Sequence, residues 1–563
     1  MKGIGASQGI AIGKIYKKTS RIKIEKTMAE NTKAELVKFY SNIEKSKVQL
    51  EEIKKITENK IGAEEAKIFE AQEMILEDPD LVEKVVAKIK NDGFSASWAV
   101  KDATDELALL FQDIEDDYIK ERVLDLQDVS LRLIENILGL KGFEYSSIVE
   151  PVIIVADELT PSEISRISTD TILGIITETG GATSHTAIMS RIMGLPAIVG
   201  AGGFLNAATN DDMAIMNGST GEFYINPEAN LLERFKKERD FQQQQQQELQ
   251  SYIGVRTSTI DGFDISVGCN IGSPKDLEAV LKNDGEGIGL FRSEFLYLNR
   301  NSMPTEDEQF FAYKAAAEAM SGKSVIIRTL DIGGDKQVPY MDFPKEDNPF
   351  LGYRAIRYCL EERDIFRIQL RAMLRASAFG NIKIMLPMIS GVDEVREARL
   401  ELQKSMHELD SRHLDYDKDI ELGIMIETPA AAIISDKLAE EVDFFSIGTN
   451  DLVQYTLAVD RMNTKISDLY TPYHPAVLRL IELTADNAKK AGIWIGMCGE
   501  AAQDELLVPI FVGMGLDELS VSASQVLKIR KLINSLNKVD MEKHVENILT
   551  LPNAKSVFDY LKS

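Results

Sequence analysis

Eight short apolar segments, separated by helical stretches, fill the last 305 or so residues of this 563-residue chain. They fall at 264–271, 286–291, 324–330, 382–388, 422–426, 443–447, 494–498 and 519–522. Stretches between them, such as 274–281, 365–377, 392–407 and 476–490, read as helix. Eight strands alternating with helices over that length predict a (β/α)8 barrel spanning 259–563. The second-to-third and fourth-to-fifth connections are long, which makes them places for insertions or interface elements. A barrel of this kind carries its chemistry at the C-terminal strand ends, so those ends are the first place to look for function.

The remainder reads as two further parts and a connector. Gly3, Gly5, Gly9 and Gly13 break residues 1–26 into short strands, and residues 144–227 alternate strand with helix. Together they predict one α/β domain. Residues 27–143 have apolar side chains at helical spacing, including Leu36, Phe39, Tyr40 and Ile43, with breaks near Gly62, at Asp78-Pro79 and at 91–93. The later helices are expected to end at Gly139 and Gly142. This stretch predicts an α-helical bundle inserted into the α/β domain. Residues 30–145 carry 27 acidic and 16 basic side chains, net −11. That fits either a solvated acidic bundle or a docking platform for a basic partner. Residues 228–258 include Gln242 through Gln247, yet their apolar and charged flanks favour a continuous linker helix. At ~1.5 Å per residue, the 26 residues from 228 to 253 would span roughly 39 Å.

Composition narrows the functional class. The chain has 90 acidic and 64 basic residues, net −26, a poor match for nucleic acid or an anionic membrane. Three cysteines give no disulfide framework and suit a reducing compartment. No apolar run approaches the ~18 residues of a membrane span, and the N-terminus lacks the apolar core of a secretory signal. The expectation is a cytoplasmic, multidomain protein.

The strand ends hold a coherent set of groups. The second ends in Arg292-Ser293-Glu294, and the third contains Arg328 and runs into 331–336, ending on Lys336. The fifth ends in Glu427, the sixth runs into Asn450-Asp451 with Arg461 following, and the seventh ends in Cys498. Glu427 and Asp451 suit a hard divalent cation that keeps some of its waters. The arginines and Lys336 would grip a phosphate and a carboxylate, with Asn450 supplying an amide to the same oxygens. An unperturbed thiol is protonated at neutral pH, so Cys498 can be a proton donor.

A second site lies in Gly-Gly-Ala-Thr-Ser-His-Thr-Ala, 180–187, which follows a strand and opens a helix. A helix N-terminus disfavours imidazolium and favours an attached phosphoryl group, which suits His185 as a nucleophile. Thr183, Ser184 and Thr186 can hydrogen-bond phosphate oxygens or the second ring nitrogen, and Arg191 lies a turn and a half on. A nucleophilic histidine together with a separate phosphate site suggests phosphoryl transfer through phosphohistidine.

Residues 180–189 resemble the phosphohistidine signature of phosphoenolpyruvate-utilising enzymes, and 443–456, Asp-Phe-Phe-Ser-Ile-Gly-Thr-Asn-Asp-Leu-Val-Gln-Tyr-Thr, resemble the second signature of that family. The domain order over essentially the whole chain is similar to that of the Enzyme I family of the bacterial phosphotransferase system. No ATP-grasp region or GAF domain is read ahead of the His domain, so pyruvate phosphate dikinase, phosphoenolpyruvate synthase and the nitrogen-system paralogue are the less expected members. The resemblance implies phosphoenolpyruvate–protein phosphotransferase activity. His185 would then be the phosphorylated nucleophile, through its Nε2. Arg292, Arg328, Asn450 and Arg461 would bind phosphoenolpyruvate, with Asp451, Lys336 and Arg354 nearby. Glu427 and Asp451 would hold Mg2+, and Cys498 would protonate the enolate to pyruvate. The helical insert would dock HPr, a small histidine phosphocarrier, and the barrel would form a homodimer. Ala182 stands where some members carry Arg or Pro, which shifts expected phosphate contact to Arg191. The rival readings are a dikinase-like protein using a nucleotide on another subunit and a phosphoenolpyruvate-binding regulator that transfers nothing.

Overall fold

The computed structural model describes residues 1–18, 24–60, 62, 65–110, 117–140, 148–298, 300–334, 338–341 and 343–563. Two compact units divide the chain, Met1–Gln245 and Gln246–Ser563. The expected helix end at Gly142 and the predicted site residue Lys336 lie outside the described residues.

The first unit is built on a seven-stranded sheet. Its strands are β1 (Ile4–Ser7), β2 (Ile10–Lys17), β3 (Val152–Ala156), β4 (Ile172–Thr177), β5 (Ala197–Val199), β6 (Met213–Asn217) and β7 (Glu222–Ile225), in the spatial order β1-β5-β4-β3-β2-β6-β7. Every residue of β3 is buried because both sheet faces are covered. Val152, Ile154 and Ala156 enter one apolar cluster while Ile153 and Val155 enter another, as the two-residue period of a strand requires. The chain leaves the sheet after β2 and returns in β3 beside it, with Lys14 opposite Val152. The helices Thr32–Lys60, Lys67–Glu77, Pro79–Lys90, Ala96–Leu109 and Asp117–Leu138 lie between these two strands. They share their own core around Phe39, Leu50, Phe69, Val85, Val100 and Leu133. Asp78 accepts the Asp80 N–H at 2.8 Å, so the Asp-Pro pair both ends one helix and caps the next.

The linker is a continuous helix, Ala229–Gln250. Phe235, Leu231 and Leu232 pack against Ile10, Ile215 and Tyr224 of the sheet, so its first turns belong to the first unit. The division between units falls inside this helix, and the connector is not a body of its own.

The second unit is a closed barrel of eight parallel strands. They are β8 (Ser266–Ile271), β9 (Ile288–Arg292), β10 (Val325–Arg328), β11 (Ile382–Leu386), β12 (Leu422–Ile426), β13 (Phe444–Ile447), β14 (Trp494–Met497) and β15 (Glu518–Val521), and β8 and β15 pair to close the ring. All eight expected strands are present. A large apolar cluster joins the strands to the surrounding helices. A small separate one, Leu290, Ile326, Met385, Met425, Phe444 and Cys498, packs together from six of the strand regions. Phe444 stacks on Trp494 at 4.5 Å, and Gly423 leaves room for that ring: a Cβ there would lie 2.5 Å from it. Among the described residues no helix is long and apolar enough to cross a membrane.

Candidate active site

In the first unit, His185 is the first residue of the helix His185–Ile192, whose N-cap is Ser184. The Ser184 hydroxyl accepts the Ala187 N–H at 3.4 Å, so it secures the helix start and is not idle. Thr186 donates to the Leu159 carbonyl at 3.3 Å. The preceding loop is tied down by Gly200 N–H to Thr179 O, Gly202 N–H to Glu178 O, and Leu205 N–H to the Glu178 carboxylate at 2.7 Å. Arg191 donates to the Ala6 carbonyl at 2.8 Å and to that of Ala182. Its guanidinium therefore braces the loop.

His185 is half-buried and lines a cleft of about 1380 Å³. One wall comes from the inserted helices, including Leu109, Leu124, Asp128 and Leu131; the other comes from Thr179, Gly180, Gly181 and Thr183. Six carboxylates, Asp105, Asp125, Asp128, Asp157, Glu158 and Glu178, line it against Lys17 and Lys18. Burial raises the pKa of the Asp128 carboxyl, with Glu163 adding to it while Arg132 and Ser162 oppose. Leu109 and Leu110 are exposed. The rim is acidic and apolar at once.

In the second unit the strand ends converge as expected. Arg292, at the end of β9, is exposed and lies over the Phe295 ring at 4.8 Å. Arg328, at the end of β10, is buried and binds Glu294 at 2.6 Å and Asp331 at 3.0 Å. Asp331 also binds Arg354 at 2.8 Å, so one carboxylate joins two buried guanidiniums. Burial works against the charge on both arginines. For Arg328, Asp331 and Glu294 outweigh that; for Arg354, Asp331 and Asp451 do, and both stay firmly protonated. Of the arginines expected at this mouth, Arg328 and Arg354 hold carboxylate partners. Arg292 and Arg461 have none among the described residues, and Arg461 lies beside Tyr470. Gly333, at φ +115°, lets the chain pass Arg354, whose Cβ would lie 2.5 Å from any added side chain.

Glu427 follows β12 and is 1% exposed. Its Oε1 accepts the Met388 N–H at 2.6 Å, and Met388 itself adopts φ +58°, an uncommon conformation for a side chain of its kind. Burial, then Asp451 and Asp331, push the Glu427 carboxyl up to about 8, against Arg328 and Arg354. The Asp451 Oδ1 is buried and accepts no hydrogen bond among the described residues; Arg354 lies 3.9 Å away. Two buried carboxylates side by side, one with an oxygen unsatisfied among the described residues, fit a divalent cation that completes its shell with water and substrate oxygens. Asn450 is engaged with Glu500 through both ends of its amide, at 3.3 and 2.9 Å.

Cys498 follows β14 and is 5% exposed. Ser446 donates to its Sγ at 3.3 Å. Burial pushes the thiol up to about 12, with Ser446 and Arg328 opposing and Glu427 and Glu518 adding. It is protonated at neutral pH, as expected, but as a much weaker acid than a free cysteine.

Glu294 and Asp331 stood within the strand-end motifs of the sequence, but with no role assigned to them. The Met388 N–H and Ser446 carried no signal, because each acts through a contact that only barrel closure creates.

Comparison with known proteins agrees with this geometry. Residues 245–538 match the family described as PEP-utilising enzyme, PEP-binding domain; 148–221 match its mobile domain and 2–122 its N-terminal domain. A phosphoenolpyruvate-protein phosphotransferase of Bacillus subtilis is 45% identical over 563 residues, covering 100% of this chain and 99% of that protein. One from Priestia megaterium is 43% identical, covering 100% and 98%. One from Staphylococcus aureus is 46% identical over 96% and 95% of the two chains. With a helix-opening histidine in one unit and a charged barrel mouth in the other, the chain belongs to the phosphoenolpyruvate-protein phosphotransferases of the PEP-utilising enzyme family.

Proposed function

We propose that phosphoenolpyruvate binds at the barrel mouth and phosphorylates His185, and that the phosphoryl group then passes to a histidine of HPr. The observation that carries this reading is the gathering of guanidiniums, two buried carboxylates and a buried thiol at five strand ends. Arg292 and Arg461 are the guanidiniums left for the ligand's phosphate and carboxylate, with Asn450 beside them. Arg328 supplies fixed positive charge, and Glu294 and Asp331 hold it in place. Lys336 belongs to the same segment by sequence. Glu427 and Asp451 would hold Mg2+, which supplies neutralisation of developing negative charge. His185 attacks phosphorus in line; the P–O bond of the enol phosphate breaks, and Cys498 gives a proton to the C3 carbon of the enolate to form pyruvate. Positioning and charge do most of the work in such transfers.

The acidic, leucine-edged cleft around His185 supports a basic carrier surface as the acceptor. The two sites belong to separate compact units joined by one helix, so we place the hinge within 228–258. The proposed domains are 1–26 with 144–227, the insert 27–143, that linker, and the barrel 259–563. We also propose homodimerisation through the barrel and a cytoplasmic location, readings that membership of the family supports.

The test is stoichiometry. Without HPr, the chain with Mg2+ and phosphoenolpyruvate should release about one pyruvate per chain and stop; HPr should make release continuous. Continuous release without any carrier would sink the relay, and a stalled reaction that HPr cannot restart would remove HPr as the acceptor.

A further inference from the structure

Ser446 and Cys498 come from neighbouring strand regions whose register is fixed by Ser446 opposite Gly496 and Ile447 opposite Met497. Both are buried, at 1% and 5% exposure. The Cys498 backbone is pinned on two sides. Its N–H donates to Ile447 O at 3.1 Å, and its carbonyl accepts from Asn270 Nδ2 at 3.1 Å. Cys498 shares a buried apolar cluster with Leu290, Ile326, Met385, Met425 and Phe444, none of which can donate a strong hydrogen bond. The Ser446 hydroxyl reaches it at 3.3 Å, and the S–H itself is aimed at Ile447 O, 3.8 Å away. The charged groups bearing on the sulphur are Arg328 on β10, Glu427 after β12 and Glu518 on β15, and the two carboxylates oppose a thiolate.

We propose that Ser446 is a positioning residue for proton transfer to the enolate: its hydroxyl fixes the orientation of the Cys498 thiol and donates a hydrogen bond to the thiolate left behind. This rests on the assignment of Cys498 as the acid. In the step, the C2=C3 electron pair of the enolate takes the thiol proton, the C2 oxygen becomes a ketone, and sulphur keeps the S–H bonding pair. The thiolate recovers its proton from water before the next turnover. A thiolate in an apolar pocket is costly unless a donor faces it, and a hydrogen bond to a charged acceptor is about twice as strong as a neutral one. The Ser446 donation therefore strengthens as the proton leaves, which makes it an interaction selective for the transition state.

The experiment follows two events in the same single turnover in deuterium oxide with Mg2+ and phosphoenolpyruvate. Phosphohistidine formation is read by rapid quench, and enzyme-directed deuteration of the pyruvate methyl is read from its stereochemistry in (Z)-3-tritiated substrate. Removing a hydrogen bond to a charged group predicts a roughly ten- to hundred-fold slower directed protonation in Ser446→Ala, with phosphohistidine formation within about two-fold of wild type. Ser446→Thr, which keeps the hydroxyl, should restore most of the protonation rate. Equal loss of both events in Ser446→Ala, or no rescue by a folded Ser446→Thr, would mean that the residue only packs the barrel. Cys498→Ala serves as the reference. If it too leaves directed protonation intact, the acid assignment fails; if it abolishes directed protonation and Ser446→Ala does not slow it, the positioning role fails.

Discussion

The guanidiniums at the barrel mouth look alike in sequence but do different work, and burial is what divides them. Arg328 and Arg354 share Asp331 inside the protein, whereas Arg292 is exposed at the same rim. Asp331→Ala leaves two buried cations short of a partner and should cost about 3–5 kcal/mol of stability, read from the shift in urea midpoint. Arg292→Ala should change stability by less than about 0.5 kcal/mol while weakening phosphoenolpyruvate binding roughly ten- to hundred-fold, measured by calorimetric titration. If both variants lost mainly stability, the division between structural and ligand-facing arginines would be wrong. The residue types and their strand-end positions were legible in the sequence, because a period-two strand followed by a polar group is a local signal. Which arginine was already spoken for was not, since Glu294 and Asp331 reach their partners only through the fold.

Among elements, the barrel strands were the easiest to read and the contacts between them the hardest. Apolar runs of four to eight residues with glycine and polar boundaries marked all eight, but nothing in the run at 519–522 revealed that Glu518, just before it, would be a buried carboxyl inside β15. Burial, with Asp517 and Glu286 adding and Lys383 opposing, pushes Glu518 up to about 7. A folded pKa above the unfolded value means the folded state holds its proton more tightly. Stability from this group is thus present below about pH 4.5 and lost as pH rises through 7. Glu518→Gln should therefore flatten the fall in thermal midpoint between pH 5 and pH 8, gaining up to about 3 kcal/mol at the upper end. An unchanged pH dependence would place the carboxyl in contact with water.

The end of the linker helix is held just as firmly. Arg530, fully buried, donates to Tyr252 O at 2.8 Å and to Asp284 Oδ2 at 2.6 Å, while the same carboxylate oxygen accepts the Gly254 N–H at 2.8 Å. Arg530→Ala should accelerate amide exchange across 251–257 well before the rest of the barrel, and exchange unchanged there would argue against a clamp.

For the whole molecule, the decisive feature is that two compact units are joined by one helix whose middle, Phe241 to Glu248, is exposed throughout. The glutamine tract reads as disorder by composition and as helix by its flanks; the flanks won, because Phe235 seeds the helix on one unit and Tyr252 is pinned to the other. Two compact units predict two calorimetric unfolding transitions. Saturation with phosphoenolpyruvate and Mg2+ should raise only one of them, by about 2.7 kcal/mol at a hundred-fold excess over Kd. A single transition, or equal shifts in both, would contradict the separation of sites.

The central claim is that phosphorus from phosphoenolpyruvate arrives on His185. The most direct measurement is incubation of the chain and its His185→Ala variant with Mg2+ and phosphoenolpyruvate labelled on phosphorus. The account predicts an acid-labile, alkali-stable label on the wild type alone, mapped to the peptide holding residue 185. Label on the variant, or none on either chain, would contradict it.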